Sequence, residues 1–206
     1  MPEGHLALVL VSYEGEFCHK WWLRDQSKSF SQRYQFHRLL DIDNKLEKTF
    51  FDSKTNFEDR IALLLSLMNL TILPYGGIPE LQDAPDILAY SSNNDLYVVE
   101  CTTDGIDQKG KLQRLCDRAR DIATRVQQSS VAIANLFPVV FTSLPRTDIT
   151  PHLAKLEALK ISVFCREDIE RVIKRVEAPP TPEDIRIAVQ ALIPTGTLVQ
   201  GVPVKQ

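Results

Sequence analysis

Asp86 and Glu100 are the acids in this sequence whose placement can do chemistry. Asp86 opens an apolar, strand-like run at 86–90 (DILAY), and Glu100 sits near the end of the next one, 96–102 (LYVVECT). The stretch between them, 91–95 (SSNND), is rich in turn formers, so a hairpin brings both carboxylates to one edge of a sheet. Two acids placed there can share a divalent cation. Hard cations such as Mg²⁺ take carboxylate oxygens and keep several waters, one of which can serve as a nucleophile. Glu100 and Thr102 share a face of their strand, whereas Cys101 points to the opposite, apolar side and can offer its backbone carbonyl as a ligand. The same acids also have ordinary uses, Asp86 as a strand-entry residue and Glu100 as a satisfied edge carboxylate.

Positioning such a pair takes a sheet and helices. A first hairpin is expected from 5–13 (HLALVLVSY) and 16–23 (EFCHKWWL) across Glu14-Gly15, followed by short helices near 31–40 and 43–50. Asn56 is placed to cap a helix over 57–70, in which Phe57, Ile61, Leu64, Leu65 and Met68 recur at helical spacing. An extended piece at 71–74 and a turn at Gly76-Gly77 lead to the hairpin that carries the acids. Beyond it, Leu112, Leu115, Cys116, Ala119, Ile122, Ala123 and Val126 mark a long amphipathic helix from 109 or 110 to 128. A strand at 138–142, a helix at 148–159, a strand at 161–165 and a helix at 167–176 alternate, which implies parallel crossovers. Pro179-Pro180 breaks the chain, and Thr181 caps a last helix over 182–192. The expected fold class is α/β, a mixed sheet flanked by helices. The expected organisation is an extension over 1–55, an α/β core over 56–178, and a helix and tail over 179–206.

Pro85-Asp86, thirteen residues, then Glu100-Cys101-Thr102 resembles the PD-(D/E)xK pattern of the restriction-endonuclease-like nuclease superfamily. The later stretch PVVFTS, a helix, and ISVFCREDIERVI is similar to the ending of the Mrr-like branch, so the likeness spans 57–173. It implies a core of helix, three strands, helix and strand, and hydrolysis of phosphodiester bonds in nucleic acid, with DNA cut internally. It also implies that Glu58, Asp86 and Glu100 hold Mg²⁺ or Mn²⁺, helped by the Cys101 carbonyl. Thr102 departs from the pattern, standing where the family has a lysine, and a hydroxyl cannot supply a cation. Lys111, nine residues further on, is the expected replacement, with Lys109 second; Thr102 can still hydrogen-bond the attacking water. Gln113 or Arg114 would contact the phosphate. Pairing into a homodimer and membership of a larger defence or repair assembly are further expectations. The departure at Thr102 keeps a second reading open: a module that retains the fold without catalysis and binds nucleic acid or scaffolds proteins.

Composition narrows the field. The chain has 206 residues, 44% hydrophobic and 25% charged, which suits one ordinary folded domain, or a domain with a small appendage, rather than a disordered or fibrous chain. Its formal charge of −3 leaves no general attraction for polyanions, so a nucleic-acid surface must be local. Lys111, Arg114, Arg118 and Arg125 form one such stripe, interrupted at its flank by Asp117 and Asp121. Trp21, Trp22, Tyr34 and Phe36, among Lys20, Arg24, Lys28 and Arg33, could stack on bases or pack internally; a regulatory role for the region before Phe57 follows from the same features. The four histidines are scattered, and no phosphate-binding glycine loop is present, which sets aside zinc hydrolysis, Ser-His-Asp chemistry and P-loop hydrolysis. Cys18, Cys101, Cys116 and Cys165 show no metal or redox spacing, and the longest apolar stretch, 61–73, is broken by Ser66, Asn69 and Thr71. With no basic leader at the N-terminus, a reduced, cytoplasmic compartment without a membrane partner is expected.

Overall fold

The computed structural model describes residues 6–13, 16–24, 32–52, 56–76, 78, 81, 83–176 and 180–193, with the side chains of 6–24 and of Lys109 outside that description. The expectations resting on Trp21, Trp22, Lys20, Arg24, Lys28, His5 and Cys18 therefore fall outside the described side chains or residues. Two strands, β1 (Leu6–Tyr13) and β2 (Glu16–Arg24), pair antiparallel as their own two-stranded sheet. Helices α1 (Gln32–Leu40), α2 (Lys45–Thr49) and α3 (Phe57–Leu67) follow.

The main sheet has five strands in the order β3 (Thr71–Pro74), β4 (Ile87–Tyr90), β5 (Asp95–Thr102), β6 (Asn135–Thr142) and β7 (Ser162–Phe164). The first three pair antiparallel; β5, β6 and β7 run parallel, as the alternation with helices implied. Helix α4 (Lys111–Gln127) links β5 to β6, α5 (Arg146–Ile149) and α6 (Leu153–Leu159) link β6 to β7, and α7 (Arg166–Ile173) and α8 (Pro182–Ala191) are the last of the described elements. The fold is thus α/β, a mixed sheet between helices. Among the described residues no helix is long and apolar enough to cross a membrane.

Strand alternation divides the core into two layers. Tyr97, Val99 and Cys101 of β5, with Val139 and Phe141 of β6, face Ile61, Leu64 and Leu65 of α3, Ile169 of α7 and Ile185 and Val189 of α8. Val98 and Val140 face the other way, onto Leu112, Leu115, Cys116 and Ala119 of α4 and Leu156 of α6. All eight residues of β5 are buried, as befits a central strand covered on both faces. Cys101, Cys116 and Cys165 are buried, free thiols.

Several boundaries differ from the sequence expectation for identifiable reasons. The helix expected at 148–159 is split by a 3₁₀ turn at Thr150–His152, where Pro151 has no N–H to donate to a continuous α-helix. Strand β6 starts three residues before Pro138; β7 pairs only from Val139 onward, so Pro138 has β5 on one side alone and its missing donor costs no ladder bond on the other. Asn56 does precede α3, but in a left-handed conformation (φ 68°) and without a side-chain cap. α3 ends at Leu67 because Asn69 adopts φ 66°, letting the Leu70 amide donate to Leu65 O (3.2 Å) and the Asn69 amide to Ser66 O (3.0 Å). Thr181 caps α8 as expected, accepting from the Asp184 amide.

Packing crosses residues 55 and 178, the limits anticipated for the core. Phe50 is only 1% exposed and meets Phe57 edge-on at 6.3 Å. Arg60 donates to Thr49 O and Phe50 O, and Arg33 to Ser66 O and Leu70 O, where they satisfy carbonyls at and just beyond helix C-termini. At the far end, Ser162 Oγ donates to Val189 O (2.7 Å) and the Val163 amide to Leu192 O (3.4 Å). Phe50→Ala is expected to destabilise the protein by about 3–5 kcal/mol, because it opens a cavity under α3. Urea denaturation of the full chain measures this; a loss below 1 kcal/mol would show that Phe50 is not a core residue.

Candidate functional site

The register β4–β5 sets the two acids side by side. Ile87 pairs with Val99, so Asp86, one residue earlier, stands next to Glu100 at the end where β4 stops. The Cys101 amide at that end is left without a β4 backbone carbonyl opposite it, and Asp86 Oδ2 accepts its proton at 2.7 Å. The Asp86 carbonyl in turn accepts from the amides of Tyr75 (2.8 Å) and Gly76 (2.9 Å), tying the loop after β3 to the same corner.

Glu58 reaches this corner from the first turn of α3. A side-chain carbon on Gly76 would collide with Glu58 Oε2 and lie 3.6 Å from the Asp86 carbonyl, so any larger residue there would make the Glu58 carboxylate shift from its present position. Lys111 comes to the same cavity from another element. It is the first residue of α4, entered through Gly110 at φ 71°, and it shares a cavity of about 400 Å³ with Phe57, Glu58, Gly76, Cys101 and Thr102.

Burial pushes all three carboxyls up. For Glu58, desolvation leads and the charge of Asp86 adds to it, while Lys111 opposes. Asp86 is raised by burial against the pull of the Cys101 amide, Lys111 and Arg118. Glu100 is pushed up to about 7, first by burial and then by Asp86, even though Arg118, Lys111 and Arg114 all favour its charged form. One ammonium, that of Lys111, therefore acts on all three acids. Burial and the surrounding carboxylates hold the Cys101 thiol protonated, so its contribution here is its backbone.

The residues expected to touch phosphate separate. Arg118 Nη1 donates to Glu100 Oε2 at 2.8 Å, a pairing the sequence pattern did not reveal; the only hint was the position of Arg118 between Leu115 and Ala119, at the rim of the apolar stripe of α4. Gln113 donates to Asp117 Oδ1, and the Thr102 hydroxyl to Asp104 O at 3.4 Å. Arg114, Arg118 and Arg125 line a separate groove of about 1210 Å³ that also contains Pro85, Asp117 and Asp121. Lys109 lies in the 3₁₀ turn Gln108–Gly110, its side chain outside the description. Gly76 was seen only as a turn former; its role in admitting Glu58 was not legible without the fold.

Among the described residues, no three His, Cys, Asp or Glu side chains are gathered as a ready metal-holding group. Glu100 is held by Arg118 and Asp86 by an amide, so the acids are neighbours without being a preformed cluster.

Because Glu100 binds its proton more tightly in the fold than in the unfolded chain, its ionisation costs stability as pH rises from about 4.5 towards 7. In chelator, wild type is expected to lose on the order of 2–3 kcal/mol relative to Glu100→Gln between pH 5 and pH 8. Parallel denaturation curves for the two proteins across that range would show that Glu100 is not raised. Compared with known proteins, the chain matches no family model and no curated sequence.

Proposed function

We propose that this chain is a metal-dependent phosphodiesterase with a restriction-endonuclease-like core, acting on nucleic acid and cutting DNA internally. The supporting order is α3, three strands β3 to β5, α4 and β6. The observation that carries the reading is the corner itself: Asp86 beside Glu100 at the end of β4 and β5, Glu58 admitted by Gly76, and Lys111 across the cavity.

The donor set suits a hard divalent cation. Three carboxyls made reluctant to ionise by burial and, for Glu58 and Glu100, by the Asp86 charge gain from a central positive ion, and a glycine cradle keeps space beside Glu58. Glu58, Asp86 and Glu100 would hold Mg²⁺ or Mn²⁺, with the Cys101 carbonyl as a backbone donor; when bound, the ion polarises phosphate and acidifies water. The protein's own groups do the rest. Lys111 offsets phosphate charge from the start of α4, in the place left by Thr102. Thr102 already spends its proton on Asp104 O, so its oxygen is left to accept from, and orient, a water. The Cys101 amide fixes the orientation of Asp86.

One observation favours a second reading, the non-catalytic module: Thr102 brings no cation, and Glu100 is engaged by Arg118. Calorimetric titration with Mn²⁺ separates the two, because a module without catalysis need not bind metal through Asp86.

Nicking of plasmid and cleavage of single-stranded DNA with Mg²⁺ or Mn²⁺ should fall at least about 100-fold in Asp86→Ala and Glu100→Ala, and by a similar factor in Lys111→Ala. Undiminished activity in the two acid variants would overturn the site. Since a metal must displace protons from raised carboxyls, Mn²⁺ should raise Tm more at pH 8 than at pH 5.5; an equal shift would argue against these acids as ligands.

A further inference from the structure

Asp168 is a buried carboxylate that carries two exposed cations. It stands in the first turn of α7, where the Cys165 amide donates to Oδ2 (3.1 Å), and its side chain is only 4% exposed. Arg146, the first residue of α5, donates to the same oxygen at 2.6 Å, and Arg171, one turn further along α7, donates to the other. Their side chains stay 52% and 67% exposed. One arginine suffices to neutralise that carboxylate and tie α5 to α7, so the second leaves a surplus of positive charge. A guanidinium has five N–H donors; Arg146 spends one contact on Asp168, and Arg171 spends one there and one on Glu167 O (3.3 Å), so both forks keep donors facing solvent. The neighbouring acids are engaged: Glu167 turns both oxygens on the Arg146 amide, and Glu170 accepts from Arg166. Lys174 and Arg175, exposed at the end of α7, extend the positive surface.

This pair lies on the same edge of the sheet as Asp86 and Glu100. β5, β6 and β7 run parallel, so the loops after all three leave from one end. The Ser143 amide donates to Thr102 O (3.2 Å) and the Arg166 amide to Leu144 O (3.0 Å), which laces those loops together. Thr102 and Thr103 wall the cavity shared by Glu58 and Lys111, and Thr142, four residues before Arg146, pairs with Thr102. We propose that Arg146 and Arg171, fixed by Asp168, form a clamp that holds phosphates of a nucleic-acid strand beside the metal site, on nucleotides next to the bond that is cut. The inference rests on the reading of this chain as one that acts on nucleic acid. A chain of net charge −3 needs a local surface for that, and the arginine fork matches two phosphate oxygens. Because the buried carboxylate orients both forks before a strand arrives, less side-chain freedom is lost on binding.

Salt dependence separates a phosphate contact from an arginine that only ties two helices, since the latter changes thermal stability and leaves the salt slope alone. Binding of a fluorescein-labelled single-stranded DNA oligonucleotide to the full chain is read by anisotropy in chelator over a series of salt concentrations. Arg146→Gln and Arg171→Gln should each weaken binding about threefold to tenfold at low salt and flatten the plot of log affinity against log salt by about 0.7, the share of one phosphate on a single strand. Arg146→Lys and Arg171→Lys, which keep the charge without the fork, should hold the wild-type slope and lose less affinity; they carry the comparison if a glutamine variant does not fold. Arg186→Gln is the control, because Arg186 pairs with Glu183 on α8 and feels the charge of Asp95 at the start of β5, the opposite end of the sheet. It should stay within about twofold of wild type. Unchanged affinity and slope in the Arg146 and Arg171 glutamine variants, an equal loss in Arg186→Gln, or no binding by wild type would overturn the clamp and leave the metal site to stand on Asp86 and Glu100. Cleavage that survives Asp86→Ala and Glu100→Ala while the arginine effects hold would overturn the metal site and leave the clamp.

Discussion

Burial of β5 on both faces along its whole length is the constraint from which the rest follows. A strand in that position can carry polar side chains only where the interior supplies partners. Asp95 at its start accepts from Asn135 Nδ2, and Glu100 near its end accepts from Arg118. The amide of Cys101, past the end of β4, finds the carboxylate of Asp86. Two atoms escape the rule: Asp95 Oδ2 and Tyr97 Oη are buried without a hydrogen-bond partner among the described residues, and nothing in the structure explains them.

Helix α4 serves two purposes through one amphipathic surface. Leu112, Leu115, Cys116 and Ala119 anchor it to the sheet, which fixes the direction of everything else it carries. Its first residue then projects Lys111 to the end of β5, and its middle projects Arg118 to Glu100. The acids come from three different elements: the first turn of α3, the entry to β4 and the end of β5. Core packing on the two faces of the sheet is what holds these elements in a common frame.

Most elements were legible because their signals are local. The period of α4, the turn formers at 91–95 and the Thr181-Pro182 start of α8 each act within a few residues, and the structure has all three. The pairing of Asp86 with Glu100 was also readable, since a hairpin converts sequence spacing into register. What could not be read depends on contacts between distant segments. The Arg118–Glu100 pair spans a crossover, the fit of Glu58 against Gly76 depends on how α3 meets the loop after β3, and Phe50 enters the core only because α2 folds back onto α3. Periodicity assigned Arg118 to a solvent-facing stripe because a residue at the rim of an apolar face can turn either way.

The two outer strands of the main sheet are short and differently finished. β3 has four residues and ends in Pro74, while β7 has three and its Val163 amide is taken by the last turn of α8. A foreign strand therefore meets either a position with no donor or a border already occupied by the chain itself. Extension of the main sheet by another chain is thereby disfavoured at both of its edges.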